Sequence, residues 1–293
     1  MATLDVIVGG QLTTLGGGTP FWRVSLNGVG MPEIKRIEDQ GPLQHGATDV
    51  GFRLAPRMLQ LVLMYAEATL AAAVAARDAF YALFTPSMEV ISLRLTRDDG
   101  SVRQIDCHVV NAVDLPESEA IGASLRFVVQ LRAAQPLWYD PQTYTAYVSG
   151  NGTIANLPIP FVVPLVASGS VMAESSAISY GGTFESFPTI TVIGPVTALQ
   201  ITNESTGDFL SFAGEIPDGT TLTIDLGYGQ KTVIDQGGVN RIGWLSNDSD
   251  LATFSLQAAP AVPGGTNSIT VTGTDVDAGT RVSLSYIEWF VGV

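Results

Sequence analysis

The chain is poor in charge, in basic residues over its second half, and in the side chains that carry most enzymatic chemistry. Charged residues make up 14% of its 293 residues, against roughly 25% in an ordinary globular domain. A surface so thinly charged is either covered by neighbouring chains or solvated by the Thr, Ser and Asn of a β protein. Only one cysteine is present, Cys107, which excludes an internal disulfide. Only two histidines are present, His45 and His108. Cys107 and His108 are neighbours on a predicted strand, so their side chains point to opposite faces and cannot form a dyad. A nucleophilic triad needs a Ser or Cys beside a His that a carboxylate orients, and no spacing in the chain supplies one. The expectation is a protein that is not an enzyme.

Basic residues are missing where nucleic acid would need them. Residues 1–148 hold 11 Lys/Arg against 15 Asp/Glu, a net of −4, while residues 149–293 hold 3 against 13, a net of −10. Phosphate neutralisation needs clustered Lys/Arg, and the second half cannot provide it. An acidic wall would let DNA slide past without sticking, and it would equally serve solubility. Long apolar runs are missing too. The longest, residues 157–167, is too short to cross a bilayer and is broken by Pro158, Pro160 and Pro164. Residues 1–12 have neither a basic start nor an apolar core, so no secretory signal is expected.

What is present is mostly β pattern. Pairs and triplets of glycine break residues 1–55 into short extended pieces such as residues 21–26, and residues 34–49 read as a polar, turn-rich loop projecting from the first domain. Residues 58–64 read as a strand after Pro56. The one predicted helix covers residues 67–84: it is rich in alanine and ends at Thr85-Pro86. At 100° per residue its large side chains, among them Val74, Phe80, Tyr81 and Phe84, share one face. Ala71, Ala72, Ala75, Ala79 and Ala82 occupy most of the other, which could admit a second backbone at close range, and Glu67 and Asp78 keep a narrow polar edge. Strands follow at residues 90–95, 102–110 and 125–131, with a hairpin turn at Arg97-Asp98-Asp99-Gly100. Residues 144–164 read as linker and first strand of a second domain, with Asn151-Gly152 as a turn. Closing strands are expected at residues 268–273 and 282–291. No long helix is expected after Phe84, so the architecture is mainly β: an α+β N-terminal domain with one helix, then an all-β sandwich.

Three motifs that invite chemistry fail on spacing. Gly227-Tyr228-Gly229-Gln230-Lys231-Thr232 has Gln where a phosphate loop needs Gly, and it leads into a strand instead of a helix. Asn247-Asp248-Ser249-Asp250 lacks the glycine of a calcium loop. Asp225 and Asp235 sit on adjacent strands of one hairpin, in a chain full of surface acids. No metal and no cofactor are expected.

The order of segments after residue 178 is more specific than their composition. It runs Ser186-Phe187-Pro188, Thr189-Ile190-Thr191-Val192-Ile193-Gly194-Pro195, Leu199-Gln200-Ile201-Thr202-Asn203 and a Ser205-Thr206-Gly207 turn. Then come strands at residues 209–212 and 219–225, a glycine turn and residues 231–235. This succession resembles the C-terminal half of phage distal tail proteins. Pro136-Leu137-Trp138-Tyr139-Asp140-Pro141 resembles the end of the first domain in the same siphophage-type family.

The resemblance implies a ring-forming (belt) domain over residues 1–145 and a galectin-like sandwich over residues 146–293. It implies a structural virion protein at the distal end of the tail, made in the host cytoplasm. Such a protein forms a homo-oligomeric ring, six-fold, that joins the tail tube protein to the tail tip or tail-associated protein, with a receptor-binding protein as a further candidate partner. DNA would pass through the channel without specific binding, and no membrane insertion is implied. Ala71, Ala75, Ala79 and Ala82 are then the candidate ring interface. The alternative is a carbohydrate-binding module for host adhesion, with Asn240, Arg241 and Trp244 as candidate sugar contacts. Against it, residues 149–293 contain no histidine, so the His-x-Asn-x-Arg signature of galectins is not met.

Overall fold

The computed structural model describes residues 3–15, 21–66, 69–85, 89–111, 124–149 and 171–293. The apolar run at residues 157–167, the Asn151-Gly152 turn, and Glu67 and Pro86 beside the helix lie outside the described residues. The chain divides into two compact units. The first is Met1–Pro141 together with Phe290–Val293, and the second is Gln142–Trp289.

The first unit is one antiparallel sheet with a helix on one face. Its elements are β1 (Thr3–Val8), β2 (Gln11–Leu15), β3 (Phe21–Asn27), β4 (Ile34–Asp39), β5 (Thr48–Leu54), β6 (Arg57–Ala66), α1 (Leu70–Leu83), β7 (Ile91–Thr96), β8 (Val102–Val109), β9 (Ser124–Ala133) and β10 (Trp138–Tyr139). The strands run in the order β2-β1-β7-β8-β9-β6-β3. Period-two alternation sends Leu59, Leu61, Leu63 and Tyr65 of β6 inward and leaves Met58, Gln60 and Met64 outward. Register carries the same face across the sheet, Leu61 opposite Val129 and Leu63 opposite Phe127. The helix closes this face. Thr69 caps it by accepting a hydrogen bond from the Ala72 N–H at 3.2 Å, and Phe80 stacks on Phe127 with ring centroids 4.1 Å apart.

Residues 34–49 are no loop. With residues 50–54 they form the two-stranded ribbon β4–β5, in which Ile34 pairs with Leu54 and Arg36 with Phe52. Neither strand has a buried residue. Two solvent-facing sides leave no alternation of apolar and polar residues, which is why the sequence reads as loop.

The second unit packs two antiparallel sheets around one core. Its strands are β11 (Tyr144–Ser149), β12 (Val171–Ser179), β13 (Thr189–Ile193), β14 (Val196–Asn203), β15 (Phe209–Ser211), β16 (Glu215–Ile216), β17 (Thr221–Asp225), β18 (Thr232–Asp235), β19 (Thr266–Thr274) and β20 (Arg281–Tyr286). One sheet runs β11-β20-β13-β17-β18 and the other β12-β19-β14-β15, with β16 beside β14. Ile190, Val192, Leu222, Ile224, Val282 and Leu284 of the first sheet share a core with Leu199, Ile201, Leu210, Ile269 and Val271 of the second. This is the mainly β, sheet-on-sheet arrangement that the segment order implied. A last short strand, β21 (Trp289–Phe290), carries the chain from the second unit back to the first.

Candidate assembly surfaces

The four alanines singled out in the helix, Ala71, Ala75, Ala79 and Ala82, are all exposed. The buried face is made by Ala73, Ala76, Phe80 and Phe84. Two large side chains expected to join it, Val74 and Tyr81, stand with the alanines on the open side. Helical geometry explains the difference. Positions 73, 76, 80 and 84 follow the three- and four-residue steps of one face, and aromatic side chains at 80 and 84 decide which face the sheet accepts. The result is a low outer surface of small residues that also carries the exposed carboxylate of Asp78, with Val74 and Tyr81 projecting from it.

More exposed apolar groups lie elsewhere in the same unit. On the ribbon they are Ile34, Val50 and Phe52, with Leu43 at its tip 96% exposed. On the face of the sheet away from the helix, Trp22 pairs with Met64 and Val62 with Val128. Trp22, Met64 and Val128 are exposed there. Arg126 and Arg132 of β9 flank this stripe on the same face. A two-stranded ribbon has no core of its own and is marginal in water, so its apolar side chains gain most from cover by another surface.

The second unit brings Asn240, Arg241 and Trp244 together beside β18. The Arg241 Nε donates to Asp235 at 2.8 Å, and its guanidinium carbon lies 4.7 Å from the centre of the Trp244 ring. Asn240 accepts from the Ile242 N–H at 2.9 Å, closing its own turn. Trp244 is half-buried against the core. All three side chains are thus engaged within the loop that carries them. Asp235 also accepts from the N–H groups of Gly237 and Val239. These bonds, Val239 first and then Arg241, hold its carboxyl below the usual carboxylate range.

The other motifs resolve as structure. Cys107 is buried and donates to the Ile91 carbonyl at 3.0 Å, while His108 is exposed on the opposite face. Burial, with Asp106 nearby, pushes the Cys107 thiol up to about 12. The Gly227–Thr232 stretch is the β17–β18 hairpin. The Lys231 ammonium lies 4.0 Å over the Phe187 ring, and desolvation lowers its pKa. Asp250 accepts from the Phe209 N–H at 3.0 Å and ties its loop to β15. Asp225 pairs with Thr232 and Asp235 with Leu222, at opposite ends of the hairpin ladder. Among the described residues no group of three His, Cys, Asp or Glu side chains could hold a metal ion. Nor is any described helix long and apolar enough to cross a membrane.

Fold and surface together define a class: a two-unit β protein whose first unit leaves large apolar side chains exposed on several faces. Comparison with known proteins gives that class a particular form. Residues 181–290 match the family model of the siphovirus-type tail component, C-terminal domain. That stretch, nearly all of it in the second unit, is thus similar to the C-terminal domain of a phage tail component. No curated protein sequence matches the chain. Among solved structures, the fold is similar to that of the Dit (gp 19.1) protein of phage SPP1, described as a paradigm of the hub adsorption apparatus in phages infecting Gram-positive hosts. The likeness covers 98% of this chain and 99% of that one, with a TM-score of 0.64 at 13% identity. The baseplate of phage P2, in its activated conformation with calcium, aligns over 97% of this chain and 98% of that one, with a TM-score of 0.47 at 8% identity.

Proposed function

We propose that the chain is a non-enzymatic structural protein of a phage tail tip. Its first unit closes with copies of itself into a ring, six-fold, and its second unit is a galectin-like sandwich carried on that ring. The ring joins the tail tube to the tip or tail-associated protein and sits at the distal end of the virion tail. DNA passes through it without specific binding.

The observation that carries this reading is where apolar side chains are left exposed. Of the 21 large exposed hydrophobic residues among those described, 16 belong to the first unit. Most lie on the ribbon, the outer face of the helix and the open face of the sheet, as a subunit needs when it is bounded by neighbours on several sides. The family match of residues 181–290 and the fold likeness support the tail assignment.

Mass by light scattering and symmetry by electron microscopy of the purified chain test it. A closed ring is expected, and a chain that stays monomeric at high concentration would sink the reading. Ala79→Arg places a long cation on the exposed helix face and should abolish the ring while leaving the melting temperature within about 1–2 °C of the parent. A ring that forms unchanged with Arg at position 79 would remove the helix from the interface.

A further inference from the structure

We propose that Arg57 and the last four residues, Phe290–Val293, form a latch at the root of the β4–β5 ribbon. The latch fixes the direction in which the ribbon leaves the first unit. The importance of that direction rests on the ring reading above; the latch itself is testable without any assembly.

The ribbon leaves the sheet through two short connections. Residues 28–33 lead from β3 into β4, and Ala55-Pro56 leads from β5 into β6. The Ala55 N–H donates to the Glu33 carbonyl at 2.8 Å and ties the two together. Glycines at 28 and 30 would make this root pliable if nothing else held it. Gly28 cannot be replaced. Its φ is +85°, and a Cβ there would stand 2.2 Å from the Met58 carbonyl oxygen.

Arg57 supplies the hold. It is the first residue of β6, immediately beyond the root, and only 3% exposed. Its Nη1 donates to the Gly28 carbonyl at 2.7 Å and also to that of Gly30. Its Nε donates to Pro136 at 2.7 Å and its Nη2 to Val291 at 2.8 Å. One planar fork therefore joins the connection leading into the ribbon, the segment before β10 and residues 290–293. Those last residues are well seated. Phe290 is buried in the core of the first unit, and the Arg103 guanidinium lies 3.3 Å over its ring. The Val293 N–H donates to the Val29 carbonyl at 3.3 Å. Gly292 presses so closely on the same turn that a Cβ would meet the Val29 oxygen at 3.2 Å.

Chain order gives the latch a consequence. Its last part follows the second unit in sequence, so the root stays unlocked until residues beyond that unit have been made. The arm acquires its fixed direction only in a chain whose second unit is already complete.

The test uses spin labels on the full chain, at Leu43→Cys on the ribbon tip and Arg126→Cys on the sheet, with Cys107 buried and out of reach. Dipolar distance distributions are recorded under conditions where the chain is monomeric. In the parent one narrow distance is expected. Arg57→Lys, whose ammonium cannot span four carbonyls, and Gly292→Val, which pushes the last residues off residues 28–30, should each widen the distribution about twofold or more. Near-ultraviolet circular dichroism should stay unchanged in both. Equal widths in parent and variants would overturn the latch, as would a broad distribution already present in the parent. Loss of the tertiary signal in both variants would also overturn it, since Arg57 would then be holding the sheet and not the arm. If no ring is ever found while the widths change as expected, the latch stands and the ring reading alone falls.

Discussion

The two units spend their apolar residues differently. In the second unit, strand after strand buries its alternate side chains completely, and only Tyr147, Val171, Tyr228, Val239 and Ile242 stand out as large exposed hydrophobics among the described residues. The first unit is of similar size and has as firm a core around Phe80, Phe127 and Trp138. It nevertheless leaves apolar groups open on a helix face, a sheet face and an entire ribbon. Charge runs the other way, with a net of −10 in residues 149–293 against −4 before them. Acidic, well-covered surface suits contact with water, whereas open apolar surface suits contact with copies of the same chain. The comparison teaches that open apolar surface and acidic charge are divided between the units. The family match, which falls on residues 181–290, marks the better-covered half and not the one with the open apolar faces.

Core substitutions test whether the two units stand apart energetically. Phe80→Ala removes a fully buried ring stacked on Phe127 and should cost the first unit about 3–5 kcal/mol. Phe254→Ala, equally buried in the second, should cost its own unit a similar amount. Scanning calorimetry should show each variant moving a different transition. A single transition shifted by both would break the division.

A polar knot in the second unit should rank next. Asn267 is fully buried, donating to the carbonyls of Gln257 and Gly265 and accepting from the Gln257 N–H and the Asn203 side chain. Asn267→Ala strands several of these groups away from water and should cost about 2–3 kcal/mol, read as a drop in the urea midpoint of that unit. Less is at stake at the helix start of the first unit. Thr69→Ala removes a single side-chain acceptor, and the expected loss is about 1 kcal/mol. If Thr69→Ala cost more than Asn267→Ala, the second unit would not be the more tightly specified of the two.

Legibility in the sequence follows the same division. Strands of the second unit alternate cleanly because one side faces a core, so their order could be read and carried the family resemblance. The helix was visible through its alanines, but its orientation was not, since Val74 and Tyr81 look like core residues until Phe80 and Phe84 claim the sheet. The ribbon was invisible as β structure because Lys35, Arg36, Glu38 and Arg53 interleave with Ile34, Ile37, Val50 and Phe52 on sides that are both wet. Arg57 gave no signal at all. Its partners lie at positions 28, 30, 136 and 291, and nothing local marks a side chain that gathers carbonyls from three stretches of chain. The candidate sugar contacts were legible as neighbours, whereas the engagement of Arg241 by Asp235 depends on a turn that only the fold closes.

That last engagement gives the smallest effect and the finest test. Asp235 has its carboxyl held below the usual range by the Val239 N–H and then by Arg241. A depressed carboxylate pKa means the folded state favours the ionised form. Its stabilising contribution is therefore complete above the unfolded pKa and fades as pH falls through the lower folded one. Asp235→Asn should leave the second unit slightly less stable than the parent near neutral pH. The gap should close as the buffer is taken from about pH 5 to about pH 2, because the parent loses over that span what the variant never had. Urea midpoints of both proteins along the same pH series give the answer, and parallel curves would show that Asp235 is not held ionised by its turn. The same substitution removes the carboxylate that holds Arg241 near the Trp244 ring. If glycan binding appeared in Asp235→Asn and not in the parent, the second unit would prove to have the elements of a sugar site that its own ion pair keeps closed.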